Sequence, residues 1–304
     1  MKILLSGGLG SIGGRFIEKF SNVYDIIAYV RDDSVENVKK ISDIRNICIE
    51  KGSITNEKIT SNIIKKHQPD VVIHLAAISG LTNCEEKTDD AFRVNVYGTH
   101  NIIKGCVENG SKLLFFSSRE VYGKTVLDQS YESDPLLPNN IYGITKMLGE
   151  NLVILANQKH NLGYTILRLT NVYGPGHDKG VNKMIRTALN ENKIRIYGHD
   201  RIVNFLYIDD VVDMLHFILN DNRVSNQILN VGSPHSITLK EFAEKIASII
   251  NNKVQYELHP GKEIESDFNP SLRKLHSLGY FLNTALDAGI ERTIDWYNHL
   301  SKNI

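Results

Sequence analysis

A glycine-rich turn near the start of the chain most strongly constrains its fold. Residues 6–13 read SGGLGSIG, directly after the apolar run 3–5 and at the start of the helical pattern 12–20. Glycines permit a tight turn and a close backbone approach to a ligand, while N–H groups at a helix N-terminus attract phosphate. Between a strand and a helix, this turn predicts a dinucleotide site. The residues expected to contact the dinucleotide are Gly7, Gly10, Ser11, Ile12 and Gly13.

Short apolar runs alternate with helical patterns through the first half of the chain. The runs lie at residues 3–5, 26–30, 71–75 and 113–116, and the helical patterns at 12–20, 59–66 and 90–108. Strands that are apolar throughout are typical of a parallel sheet covered by helices on both faces. The alternation therefore predicts an α/β fold, with a Rossmann-type doubly wound parallel sheet and a smaller C-terminal substrate-binding region.

Segment 171–176 is rich in turn-forming residues, and the predicted helices and strands beyond it are shorter. We predict a dinucleotide-binding domain over residues 1–170 and a mainly substrate-binding region over 171–304. A segment at about 203–232 is expected to return to the first domain.

Charge and cysteine content narrow the class of protein. Lys plus Arg and Asp plus Glu both number 35, so the formal net charge is zero. Nucleic-acid and membrane-surface partners need a basic excess, and a membrane helix needs ~18–20 apolar residues that no run supplies. The three cysteines and eleven histidines show no metal-ligand spacing, and the first residues show no leader pattern. We expect a cytoplasmic protein without a metal site.

The end of the second strand bears on the choice of cofactor. Residues 28–33 read AYVRDD, so Val30 stands where an acidic residue would bind the ribose hydroxyls of NAD, and Arg31 follows it. A guanidinium at Arg31 pairs well with a 2′-phosphate. The sequence therefore favours NADP(H) and leaves NAD(H) open, because Asp32 can also reach a ribose.

Three polar residues fit proton and hydride transfer. Tyr142 and Lys146 have the i,i+4 spacing that puts both on one helix face. A phenol has a pKa near ~10, and an adjacent ammonium is expected to lower that pKa towards the working range of an acid or base. Ser118 follows the apolar run 113–116, where parallel sheets bind ligands. We expect Ser118 to hydrogen-bond a substrate carbonyl or hydroxyl beside Tyr142.

Taken in this order and spacing, these motifs resemble the extended short-chain dehydrogenase/reductases, in the branch that modifies nucleotide sugars. The resemblance spans nearly the whole chain. It also rests on HLAA at 74–77, RVNVYGT at 93–99, RLTNVYGPG at 168–176, FLYIDDV at 205–211, LNVG at 229–232, LGY at 278–280 and AGIERTIDWY at 288–297.

The resemblance implies roles for residues and an assembly. Ser118, Tyr142 and Lys146 are the implied catalytic residues, with Lys146 also holding the nicotinamide ribose, and Asn171 is implied to face the sugar diphosphate. A homodimer is implied through the Tyr142 helix and the helix 90–108. The further implied cofactor contacts are Leu75, Ala76, Ala77 and Asn95, and the apolar residues that could serve the dimer are Leu148, Leu152 and Leu155.

The chain departs from the family pattern beside the catalytic serine and near the diphosphate. Family 4,6-dehydratases carry an Asp-Glu pair after the catalytic hydroxyl residue, whereas this chain has Arg119 and Glu120. Dehydration is therefore not expected, and both residues are assigned to substrate contacts. Val203 replaces an arginine that contacts the diphosphate in many relatives, and Arg201 is the candidate substitute.

Three functions remain open at this point. The leading hypothesis is NADPH-dependent reduction of a 4-keto nucleoside-diphosphate sugar, 6-deoxy sugars included. The alternative is an NAD-dependent 4-epimerase that uses the same residues. The third is a non-catalytic cofactor-binding protein.

Overall fold

The computed structural model describes residues 1–31, 44, 46–124, 129–177, 180–250, 254–261 and 266–302. The chain divides into two compact units. The first contains Met1–Gly123, Leu136–Arg168 and Asn220–Leu229, and the second contains Lys124–Pro135, Leu169–Leu219 and Asn230–Ile304.

The described residues form strands and helices as follows. The strands are β1 Lys2–Ser6, β2 Asp25–Val30, β3 Ile47–Lys51, β4 Val71–His74, β5 Lys112–Ser118, β6 Tyr164–Leu169, β7 Asn171–Tyr173, β8 Lys193–Tyr197, β9 Ile202–Tyr207, β10 Gln227–Val231, β11 Ser236–Thr238 and β12 Gln255–His259. The α-helices are α1 Ser11–Phe20, α2 Glu57–His67, α3 Leu81–Glu86, α4 Thr88–Phe92, α5 Thr99–Asn109, α6 Ile141–His160, α7 Val181–Glu191, α8 Ile208–Asn220, α9 Leu239–Ile249, α10 Arg273–Ser277 and α11 Leu286–Lys302.

Seven strands form one sheet in the order β10-β6-β5-β4-β1-β2-β3. The pairs β1–β2, β1–β4, β2–β3 and β4–β5 are parallel, with Leu4 opposite both Ile27 and Val72. These three side chains are buried in a core that also contains Phe115, which explains why the strands read as unbroken apolar runs. The predicted Rossmann-type parallel sheet is confirmed.

The second unit has its own apolar core and two small sheets. One sheet has the order β11-β9-β7, and the other pairs β12 with β8. Phe205 of β9 stacks on Phe242 of α9, with 4.1 Å between the ring centroids. Tyr173 packs edge-on against both rings. No helix among the described residues is long and apolar enough to cross a membrane.

The helix predicted over residues 90–108 has a wider turn in its middle. A π-helical turn, Arg93–Gly98, lies between α4 and α5. Gly98 lies in this turn close to Ile54, since a Cβ on Gly98 would stand 2.6 Å from the Ile54 side chain. Asn95, one of the candidate site residues, belongs to the same turn. Such turns are common at functional sites.

Candidate active site

The glycine turn between β1 and α1 leaves no room for a side chain at two of its glycines, Gly7 and Gly13. Gly7 has φ +75, and a Cβ there would stand 2.8 Å from the backbone nitrogen of Ala76, just after β4. A Cβ on Gly13 would stand 2.7 Å from the carbonyl oxygen of Gly8. Gly10 is the N-cap of α1 and offers no side-chain cap. This backbone cradle fits a nicotinamide dinucleotide, because the pyrophosphate needs close N–H groups rather than side chains.

His74, the last residue of β4, is uncharged and joins Ser6 of β1 to Thr99 of α5 by hydrogen bonds. Its Nδ1 lies 2.6 Å from Ser6 Oγ, and its Nε2 lies 2.9 Å from Thr99 Oγ1. The Thr99 hydroxyl donates to the carbonyl oxygen of Asn95 at 2.6 Å, so we assign the ring proton to His74 Nε2. Burial, together with the nearby charge of Lys146, lowers the pKa of His74 to about 3. His74 is therefore not an acid or base at neutral pH.

Asn95 holds the loop after β4 against helix α6. Its amide donates to the carbonyl oxygen of Ile78 at 2.9 Å and to Thr145 Oγ1 at 3.0 Å. Its side-chain oxygen accepts from the Ile78 N–H at 2.8 Å. Asn95 is also predicted to contact the cofactor, and these bonds fix where its side chain lies. The neighbouring cofactor candidates, Leu75, Ala76 and Ala77, are half-buried in the segment that directly follows β4.

The structure brings the three proposed catalytic residues together. Ser118 is the last residue of β5, not a loop residue beyond it, and it hydrogen-bonds Tyr142 at the start of α6. Lys146, one turn along α6, lies 5.9 Å from the centroid of the Tyr142 ring. The Lys146 ammonium donates to the carbonyl oxygen of Phe116 at 2.7 Å.

The protonation of this group differs from the sequence expectation. Burial raises the pKa of Tyr142 above its usual value, Cys84 and Glu120 raise it further, and only the Ser118 hydrogen bond lowers it. Burial also lowers the pKa of Lys146 to about 8. The expected acidic phenol is therefore wrong for this structure, because desolvation by burial is the largest influence on the pKa of Tyr142. Tyr142 is a protonated phenol at neutral pH.

Arg119 and Glu120, expected to contact substrate, are engaged with each other. Arg119 Nη2 lies 2.8 Å from Glu120 Oε1, and both side chains are buried. The second oxygen of Glu120 accepts from the Asn140 amide at 3.0 Å. Asn140 in turn caps α6 by accepting from the Gly143 N–H at 2.8 Å. Glu120 thus helps to fix the start of the helix that carries Tyr142.

A buried ion pair behind these residues was missed by sequence reasoning. Arg168 of β6 donates three hydrogen bonds to Glu150 of α6, the shortest at 2.7 Å. Ser117 of β5 donates to the same carboxylate, and Arg168 also donates to the Tyr122 hydroxyl at 2.9 Å. The cluster joins β5, β6 and α6 next to Ser118 and Lys146. An arginine inside the apolar strand 164–169 was the available indication in the sequence.

The remaining candidates occupy other places. Arg31 is exposed directly after β2, while Val30 is buried, and Asp32 lies outside the described residues. Asn171 and Arg201 belong to the second unit. Asn171 opens β7 and donates to the carbonyl oxygen of Asn204 at 3.3 Å. Arg201 is half-buried just before β9.

Comparison with known proteins gives a family and a fold. The family model described as NAD dependent epimerase/dehydratase matches residues 3–232. A dTDP-D-glucose 4,6-dehydratase of Dictyostelium discoideum is 30% identical over 269 residues, which cover 82% of this chain and 62% of that protein. A trifunctional UDP-glucose 4,6-dehydratase/UDP-4-keto-6-deoxy-D-glucose 3,5-epimerase/UDP-4-keto-L-rhamnose-reductase of Arabidopsis thaliana is 27% identical, covering 97% of this chain and 47% of that protein. The chain thus spans less than two thirds of the length of both relatives.

A solved structure with the same fold is UDP-glucuronic acid 4-epimerase from Bacillus cereus in complex with UDP-glucuronic acid and NAD. It has a TM-score of 0.91 at 22% identity, and the match covers 99% of this chain and all of that chain.

Proposed function

Because this chain belongs to the NAD-dependent epimerase/dehydratase family, we propose that it transfers a hydride at C4 of a nucleoside-diphosphate sugar. The observation that carries the proposal is the Ser118–Tyr142 hydrogen bond with Lys146 one helical turn away. This group lies at the carboxyl end of β5, and the glycine cradle lies at the carboxyl end of β1. In a parallel sheet these ends share one edge, where ligands bind.

We propose reduction of a 4-keto sugar as the net reaction. A protonated phenol is the form that donates a proton, so Tyr142 is ready to protonate the oxygen of a carbonyl that is being reduced. Ser118 orients that oxygen, and the Lys146 ammonium stabilises the phenolate that Tyr142 becomes. The nicotinamide cofactor, when bound, supplies the hydride. The name of the Arabidopsis relative also includes a reductase of a UDP-4-keto sugar.

The surroundings of Glu120 argue against 4,6-dehydration. Loss of water from a sugar needs a carboxylate that can take a proton from the ring. Glu120 is instead paired with Arg119 and accepts from Asn140, so each of its oxygens already has a hydrogen-bond partner within the protein. We therefore propose that this chain does not share the dehydratase activity named for its relatives.

We propose NADP(H) as the cofactor because of Arg31, which is exposed at the end of β2. Arg31→Ala should raise the dissociation constant of NADPH by about 10–100-fold, the worth of a charged hydrogen bond, and leave that of NADH nearly unchanged. Fluorescence titration of both cofactors measures this. Lys51→Ala, which removes an exposed cation from the neighbouring strand β3, is the matched control and should change neither constant. If Arg31→Ala changes the dissociation constants of NADPH and NADH equally, Arg31 does not select NADP(H).

A 4-epimerase with bound NAD is the second candidate. It is favoured by the fold shared with the Bacillus cereus 4-epimerase, which is complexed with NAD. Purified protein should be assayed with NADPH and 4-keto nucleoside-diphosphate sugars, and separately with C4 epimers and no added cofactor. Consumption of NADPH supports reduction. Epimer interconversion by protein that retains NAD identifies an epimerase, and no turnover in either assay leaves a cofactor-binding protein.

We propose a homodimer formed through α6 and the π-helical turn. Tyr97 of that turn is 68% exposed and Leu155 of α6 is 43% exposed, while Leu148 and Leu152 on the same helix are half-buried. Replacing Tyr97 and Leu155 together with Asp should convert the dimer to a monomer, because burying charge in an apolar contact is costly. Light scattering at micromolar concentration measures the mass, and a monomeric unmodified chain would refute the dimer.

A further inference from the structure

Three metal-binding side chains meet at the outer edge of the seven-stranded sheet. Among the residues that the structure describes, Cys48, Glu50 and His67 form the one group of three such side chains close enough to share an ion. Their ligand atoms all lie within 4.8 Å of one another. Residue spacing does not indicate this group, because His67 is 17 residues from Glu50.

Strand and helix geometry explain why these residues meet. Cys48 and Glu50 are alternate residues of β3, so their side chains leave the strand on the same face. His67 is the last residue of α2, which ends because Gln68 adopts φ 47, a left-handed conformation. His67 Nε2 consequently lies 2.6 Å from Glu50 Oε1.

The donor set is a soft thiolate, an imidazole and a carboxylate, the three ligand types that zinc takes in proteins. Zinc–ligand bonds of about 2.0–2.3 Å in a tetrahedron place neighbouring ligand atoms roughly 3.3–3.8 Å apart. The ligand atoms, now within 4.8 Å of one another, would have to move by about 1 Å to reach this spacing. We propose that Cys48, Glu50 and His67 bind one Zn²⁺ ion, with water as the fourth ligand.

Lys66 competes with the proposed zinc ion for the carboxylate of Glu50. Its ammonium lies 2.6 Å from Glu50 Oε1 and is 65% exposed. Zinc binding requires Glu50 to exchange this ammonium, and the His67 contact, for the metal. Removing the Lys66 charge therefore tightens metal binding, although it breaks an ion pair.

The site is separate from the proposed chemistry. β3 is four strands from β5 in the sheet order, a distance of about 19 Å at the usual strand spacing. Zinc would link the edge strand β3 to the end of α2 and stabilise the folded chain by mass action. Binding at this site does not depend on the function proposed above.

Cobalt titration of the untagged full chain tests the proposal. Cys84 and Cys106 are buried, so a thiolate-to-cobalt charge-transfer band would report Cys48, the exposed cysteine. We expect the band to saturate at one Co²⁺ per chain and to disappear when Zn²⁺ displaces the cobalt. Melting curves of each variant without metal confirm that it is folded.

Four variants make the result specific to these residues. Cys48→Ala should abolish the band, and His67→Gln should weaken binding more than about 10-fold, because even outer-shell partners of a metal are worth about 10–100-fold. Lys66→Gln should tighten binding severalfold. His100→Gln removes an exposed histidine elsewhere and should change nothing. Absence of the band, or Zn²⁺ affinity that is unchanged in Cys48→Ala and His67→Gln, overturns the proposal.

Discussion

Replacing Tyr142 with Phe should lower kcat by at least about 100-fold and leave cofactor affinity unchanged. A positioned proton donor usually accelerates a reaction by at least this factor. The phenol hydroxyl is the group that protonates the sugar oxygen, and the Ser118 hydrogen bond that orients it is lost in the variant. The ring itself remains, so α6 and Lys146 should keep their places. Steady-state kinetics with NADPH and a 4-keto sugar that the unmodified enzyme reduces give kcat, and cofactor titration gives the affinity.

The control for this variant removes the hydroxyl of a buried tyrosine elsewhere in the chain. Tyr24 lies just before β2, at the amino end of the sheet, and its hydroxyl accepts from Asn220 at 2.9 Å. Tyr24→Phe should leave kcat unchanged. If Tyr142→Phe loses less than about 10-fold in kcat, or loses activity only through weaker cofactor binding, Tyr142 is not the proton donor.

Replacing Glu150 with Gln should lower the free energy of unfolding by about 3–5 kcal/mol, the cost of leaving a buried charge without its partner. Glu150 receives hydrogen bonds from Arg168 and Ser117, all three residues being buried. The Glu150 carboxylate raises the pKa of Arg168, and without it the guanidinium still keeps its proton, since arginine is not deprotonated in proteins. Urea unfolding followed by circular dichroism measures the loss.

Two further variants separate this effect from a general sensitivity to lost ion pairs. Glu57→Gln removes the partner of Lys104 in an exposed pair and should leave stability unchanged. Glu150→Gln combined with Arg168→Met should be more stable than Glu150→Gln alone, because no unpaired charge remains. If Glu150→Gln is as stable as the unmodified chain, the buried pair contributes little to the free energy of unfolding.

The parts of the fold that could be predicted from the sequence are those set by local patterns. The glycine turn at 6–13, the apolar run that becomes β5 and the helix that begins beside Tyr142 each depend on neighbouring residues. The parallel order of the sheet follows from connecting such units. The positions of Ser118, Tyr142 and Lys146 could therefore be anticipated together.

Features that depend on packing between distant segments could not be predicted. Asn95 reaches Ile78 and Thr145 only after the π-helical turn has formed, and Glu150 meets Arg168 only when α6 covers the sheet. The pKa of Tyr142 was expected to fall and instead rises, because burial is a property of the folded chain. Sequence spacing shows that two charges are near, but it does not show how much water surrounds them.

The most direct test of hydride transfer at C4 uses NADPH deuterated at the reactive position of the nicotinamide ring. The enzyme is incubated with a 4-keto nucleoside-diphosphate sugar, and the product is analysed by NMR and mass spectrometry. We expect one deuterium per product molecule, bound to C4. Product without deuterium, or with the label at another carbon, would rule out hydride transfer at C4.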